Sequence, residues 1–135
     1  MIHINPAIEK AFADRFIVRD KRKRLLFELS GRKRSDGIAR FCHGAGSLLM
    51  ESRVVLSGSA LYYDEILEYI REHEKTGRCY IMAYNEALDG IECAVEDGLK
   101  QILGNGMAAV LIAGNTAVVE TEQCYGTPMR YVMHI

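Results

Sequence analysis

The chain has no apolar run long enough to cross a membrane. Its longest, Met107 to Ala113, has seven residues, against the ~20 of a spanning helix. It opens with no charged stretch followed by an apolar segment of the signal-peptide kind, so the expected setting is the cytoplasm, with no membrane partner. Its four cysteines, Cys42, Cys79, Cys93 and Cys124, form no C-x-x-C pair, which leaves a zinc knuckle or a thioredoxin-like redox pair without local support. No asparagine begins an N-x-S/T glycosylation site. The thiols are therefore expected to be reduced, mostly as small buried hydrophobes. Neither G-x-x-x-x-G-K-[ST] nor G-x-G-x-x-G is present: Gly44-Ala45-Gly46 meets Leu49 where a third glycine would stand. No helix-turn-helix, RNP or zinc-finger spacing is legible, and no motif implies a cofactor or a metal.

What is present is an ordinary globular composition. Of 135 residues, 49% are hydrophobic and 26% charged, which excludes disorder and collagen-like structure. This is one domain's worth of chain, able to bury roughly two-thirds of its unfolded surface. The net charge of −1 hides an asymmetry. Residues 9–40 carry eleven Lys/Arg against five Asp/Glu, and the rest carries six against thirteen. Such asymmetry points outward, to a partner.

Asn5-Pro6 reads as a helix start, with asparagine as cap and proline in the first turn. Ile8, Phe12 and Phe16 then recur at helical spacing. The basic run Arg19 to Arg24 is either traversed by one helix or hinged between two, the second ending at Ser30-Gly31. A third helix, Asp36 to His43, is expected with Ser35 as its cap. From about residue 46 the pattern changes. Strands are expected at Arg53–Ser57, Cys79–Tyr84 and Met107–Ala113, with helices at Tyr62–Glu74 and Asp89–Leu103 between them. Gly114-Asn115 signals a hairpin into Thr116–Gln123, and a last strand follows from Met129 to His134. The expected fold class is α+β. Three N-terminal helices (1–45) precede a βαβαβββ region (46–135), and the two crossovers imply a mixed parallel and antiparallel sheet.

Two sets of residues are functional candidates. Arg19, Lys21, Arg22, Lys23, Arg24, Arg32, Lys33 and Arg34 form a cationic stretch. It could neutralise phosphates non-specifically or meet an acidic protein surface. With only Phe16 and Phe27 nearby, it is a poor platform for stacking bases. The competing reading is internal: Asp64, Glu68 and Glu72 form an acidic ridge at i, i+4, i+8 that a basic helix could neutralise. The second set is Ser57, Gly58 and Ser59 with Asn85 and Glu86, at the carboxyl ends of the expected parallel strands, where open α/β sheets collect anions and nucleotides.

Other juxtapositions read as structural. Cys42 and His43 are adjacent on a helix and diverge by about 100°, which suits no nucleophile–base pair. Glu120 and Glu122 on one strand, and Arg130 and His134 on the next, suit cross-strand ion pairs better than a metal site. No nucleophile or base, orienter and oxyanion or metal group fall together. The leading expectation is a small cytoplasmic binding or regulatory domain that turns its basic N-terminal segment toward nucleic acid or an acidic protein. The alternative is an enzyme binding a small anion or nucleotide at the sheet ends.

Overall fold

The computed structural model describes residues 4–121 and 129–135; Glu122, Cys124, Gly126 and Pro128 lie outside them. Four helices come first: α1 (Pro6–Phe16), α2 (Arg22–Leu29), α3 (Arg34–His43) and the short α4 (Ala45–Leu48). Then follow β1 (Val54–Gly58), α5 (Tyr63–His73), β2 (Arg78–Ala83), β3 (Glu92–Ala94), α6 (Val95–Ile102), β4 (Ala109–Ala113), β5 (Thr116–Glu120) and β6 (Arg130–His134). The Asn5 side chain accepts the Ile8 N–H at 3.2 Å, capping α1 as the sequence suggests. The basic run is a hinge. A 3₁₀ turn at Arg19–Lys21 separates α1 from α2, and backbone bonds from Val18 to Leu48 and from Met50 to Phe16 pin it. Helix α3 begins one residue before the expected Ser35 cap and has no side-chain cap.

The six strands form one sheet in the order β1-β6-β5-β4-β2-β3, and every neighbouring pair is antiparallel. The expected mixed parallel and antiparallel sheet is therefore wrong, and the reason is parity. Residues 89–94, read from sequence as the start of a helix, instead turn and form β3. Gly90 takes a left-handed φ of +80°, and its N–H bonds Ile81 O at 2.8 Å, so the chain doubles back along β2 before α6 begins. That extra reversal makes β4 antiparallel to β2. Strands β1 and β2 do run the same way across α5, but β6, β5 and β4 stand between them, so no parallel ladder forms.

Side chains alternate between two cores. Tyr80, Met82, Val110, Ala117, Val119 and Met133 face α1–α4 and pack with Phe12, Phe16, Ile38 and Phe41. Ile81, Leu111, Val118 and Val132 face α5 and α6 and pack with Ile66, Ile70, Leu99 and Ile102. Burial on both faces explains why β2 and β4 read as continuous apolar runs, although the sheet is antiparallel. Among the described residues, no helix is long and apolar enough to cross a membrane.

Helix α6 approaches the sheet closely at Gly98. A Cβ there would lie 2.6 Å from Cys79 Sγ and 3.0 Å from Leu111 Cδ1. Gly98→Ala is therefore expected to cost about 1–3 kcal/mol in urea unfolding, overpacking outweighing the gain in helix propensity. In a Cys79→Ala background, where only the Leu111 and Cys93 contacts remain tight, the same change should cost less; an undiminished cost there would show that the approach to Cys79 is not the cause.

Candidate functional site

The structure divides the cationic stretch. Arg34 points inward. As the first residue of α3 it is in helical phase with Ile38 and Phe41, both buried. Its guanidinium forks between two carboxylates: Nη1 and Nη2 donate to Glu9 of α1 at 2.7 and 2.5 Å, and Nε and Nη2 donate to Asp89 at 2.6 and 3.0 Å. A further bond from Nη1 reaches Leu29 O at 3.0 Å. All five guanidinium N–H groups are thereby used. Tyr80 of β2 donates its hydroxyl to Glu9 at 2.6 Å, and the Ala83 N–H donates to Asp89 at 3.1 Å. Burial pulls the Arg34 pKa down, but bonds and charge from Glu9 and Asp89 outweigh it and hold the pKa above its ordinary value. Tyr80 is raised by burial first, with the Glu9 carboxylate adding. Arg34 is thus a structural cation, not the outward contact expected of it.

The other members of the stretch lie at or near the surface. Arg22 is half-buried and donates to Ile17 O at 2.8 Å. Arg19, Lys21, Lys23, Arg24, Arg32 and Lys33 are exposed. Pairing with the ridge of Asp64, Glu68 and Glu72 is ruled out by the layering: α5 packs on the opposite face of the sheet.

Lys21 and Arg24 edge a groove of about 120 Å³ between α2, α3 and α4. Its floor is apolar, made of Ile17, Leu25, Phe41 and Leu48, and Arg40 closes the far side. Glu28 sits between the arginines, accepting from Arg24 at 3.1 Å and Arg40 at 2.6 Å. Three cations against one carboxylate leave the rim positive. Beside Arg24, on the solvent side of α2, Phe27 is 78% exposed. Sequence reasoning named Phe27 only as a weak stacking residue and missed Arg40, which lies in a different helix from the basic run. The helical spacing of Lys21, Arg24, Leu25 and Glu28 was the signal that one side of α2 is amphipathic.

The second candidate set does not converge. Ser57 and Gly58 end the edge strand β1, whereas Asn85 and Glu86 follow β2, four strand spacings of ~4.8 Å across the sheet. Helix α5, which follows Ser59, carries Asp64 and Glu65 in its first turn, a poor seat for an anion. Asn85 is used by its own loop, its side chain accepting the Ala87 N–H at 3.0 Å.

The remaining polar clusters are fasteners. Glu120 and Arg130 face each other in register and form a buried pair at 2.6 Å. Arg130 also donates to Leu61 O, and Glu120 accepts the Gly104 N–H. His134 lies at the other end of β6, opposite Thr116, with its Nε2 3.4 Å from Glu74. Among the described residues, no group of three or more His, Cys, Asp or Glu is placed to hold a metal ion. Cys42 is buried while His43 is exposed, so their adjacency makes no dyad. Cys79 and Cys93 are cross-strand neighbours with sulfurs 3.8 Å apart. Burial, with Cys93 adding, pushes the Cys79 thiol up to about 12, far from a reactive thiolate.

Comparison with family models, with curated proteins and with solved structures returns no match for this chain.

The division of charge is measurable. Arg34→Gln strands two buried carboxylates and should cost about 3–5 kcal/mol in chemical denaturation. Lys23→Gln and Lys33→Gln should each stay within about 0.5 kcal/mol. Equal small effects at all three positions would remove the structural role given to Arg34.

Proposed function

We propose that the α1–α4 layer is a docking surface for an acidic protein segment, in a domain that binds or regulates in the cytoplasm. The observation that carries this reading is the α2–α4 groove, an apolar floor rimmed by Lys21, Arg24 and Arg40, with Phe27 exposed on the solvent side of the same helix α2. A segment that offers carboxylates around one apolar side chain uses every part of this surface. The carboxylates meet the rim cations, and the apolar residue enters the groove or packs on Phe27.

Nucleic acid uses less of it. One exposed phenylalanine stacks at most one base, and the apolar floor offers nothing to a sugar–phosphate backbone.

The test is fluorescence anisotropy with labelled synthetic peptides, acidic throughout and bearing either one central leucine or serine in its place. A single-stranded oligonucleotide serves as the rival probe. The leucine peptide should bind with clear salt dependence. Phe27→Ala and the leucine-to-serine exchange should each weaken it roughly tenfold, and Lys21→Gln with Arg24→Gln should weaken it and flatten the salt response. Oligonucleotide binding that falls by about 0.7 log units per contacted phosphate for each tenfold rise in salt, and ignores Phe27, would transfer the surface to nucleic acid. Binding of neither probe would overturn the proposal.

A further inference from the structure

Helix α1 covers the sheet incompletely. Between it and the β3 edge of the sheet lies a cleft of about 360 Å³, within the range of roughly 300–1,000 Å³ typical of small-molecule sites. It shares no lining residue with the α2–α4 groove. Ile8, Ala11 and Phe12 form the helix wall, and Tyr80 and Ile112 form the sheet wall. The register explains the sheet side: Glu92, Tyr80 and Ile112 are direct cross-strand neighbours on β3, β2 and β4, and Arg78, two residues before Tyr80, shares its face. The Tyr80 hydroxyl is already committed to Glu9 and to the Asn5 N–H, so the ring contributes apolar surface.

Two guanidiniums stand at this cleft. Arg15 follows Ala11 by one helical turn, and Arg78 opens β2. Both are exposed. Each has one long hydrogen bond of 3.4 Å, Arg15 to Asn115 Oδ1 and Arg78 to Glu92 O. Among the described residues, neither has a carboxylate partner at ion-pair distance. The contrast with Arg34, whose five donors are all used, is plain. Guanidiniums left this way suit a planar carboxylate, which they bind through paired hydrogen bonds.

We infer that the cleft binds an apolar-bodied monocarboxylate. Its head pairs with Arg15 and Arg78, and its alkyl or aryl body lies against Ile8, Ala11, Phe12 and Ile112. The charge of the head follows from Glu92, which also lines the cleft. Two cations against that one carboxylate leave room for one negative charge, which disfavours a phosphate dianion or a nucleotide.

The experiment titrates the full ¹⁵N-labelled chain with decanoate and 2-naphthoate, with decan-1-ol and inorganic phosphate as comparators. At least one carboxylate should give saturable one-to-one shifts at the Ala11, Arg15, Arg78 and Ile112 amides. Arg15→Gln combined with Arg78→Gln should weaken that carboxylate roughly tenfold or more, while decan-1-ol, which lacks the charge, changes less than twofold. The amide spectrum of the double variant checks that the fold is retained. Three results would overturn the inference: no saturable shift with either carboxylate, an affinity indifferent to both arginines, or inorganic phosphate binding the same amides as tightly.

Discussion

The helical layer over one face of the sheet depends on a single half-buried cation. Arg34 joins α3 to α1 through Glu9, to the 85–91 turn through Asp89, and to the end of α2 through Leu29 O. Removing a guanidinium and two carboxylates from water costs several kcal/mol per ion, which attraction offsets only when geometry is good and the remaining polar atoms are bonded. Here both carboxylates are bidentate and the arginine has no idle donor. The excess negative charge is met by the Tyr80 hydroxyl and the Ala83 amide. Because those two groups belong to β2, the network also fixes where the helices sit on the sheet. Apolar packing of Phe12, Phe16 and Phe41 is not directional; the fork supplies the direction.

The opposite face has a counterpart. Arg130 and Glu120 are paired across β6 and β5, and they reach the approach to α5 through Leu61 O and the exit of α6 through the Gly104 N–H. Each helical layer is thus tied to the sheet by an arginine whose hydrogen-bonding plane meets a carboxylate. With Arg34 and Arg130 consumed in this way, the cations at the surface include those of α2, its flanking turns, Arg40 and the pair at the α1 cleft. Two separate sites result, a small groove at α2–α4 and a larger cleft between α1 and the β3 edge of the sheet.

The position of several elements was legible, but the full order was not, since α4 and β3 were both unforeseen. The β2 and β4 runs are apolar because both sheet faces are covered, and the Ile66, Ile70 and His73 spacing marks α5. The topology was not, because Ile91 and Ala94 stand at helical spacing from Val95 and Gly98 respectively, and a three-residue strand is too short to show a period of two. Gly90 was the one residue that could have warned of a turn. Within Arg32-Lys33-Arg34 nothing in the charge pattern singles out the inward-facing member. The phase does: Arg34 lies four and seven residues before Ile38 and Phe41, on the apolar side of α3. Likewise Glu120 and Arg130 alternate in step with the inward Val118 and Val132. The α1 cleft was not legible at all, since Arg15, Arg78 and Ile112 meet only through tertiary packing.

Native-state amide hydrogen exchange of the chain and its Glu9→Gln variant addresses the fastening role of the Arg34 network most directly. If the network ties the helices to the sheet, the variant should lose protection together at Phe12, Ile38 and Phe41, while Val110 and Val118 keep theirs until global unfolding. Protection falling by the same amount in helices and sheet would contradict the account, because it would make Glu9 a general contributor to stability and not the anchor of one layer.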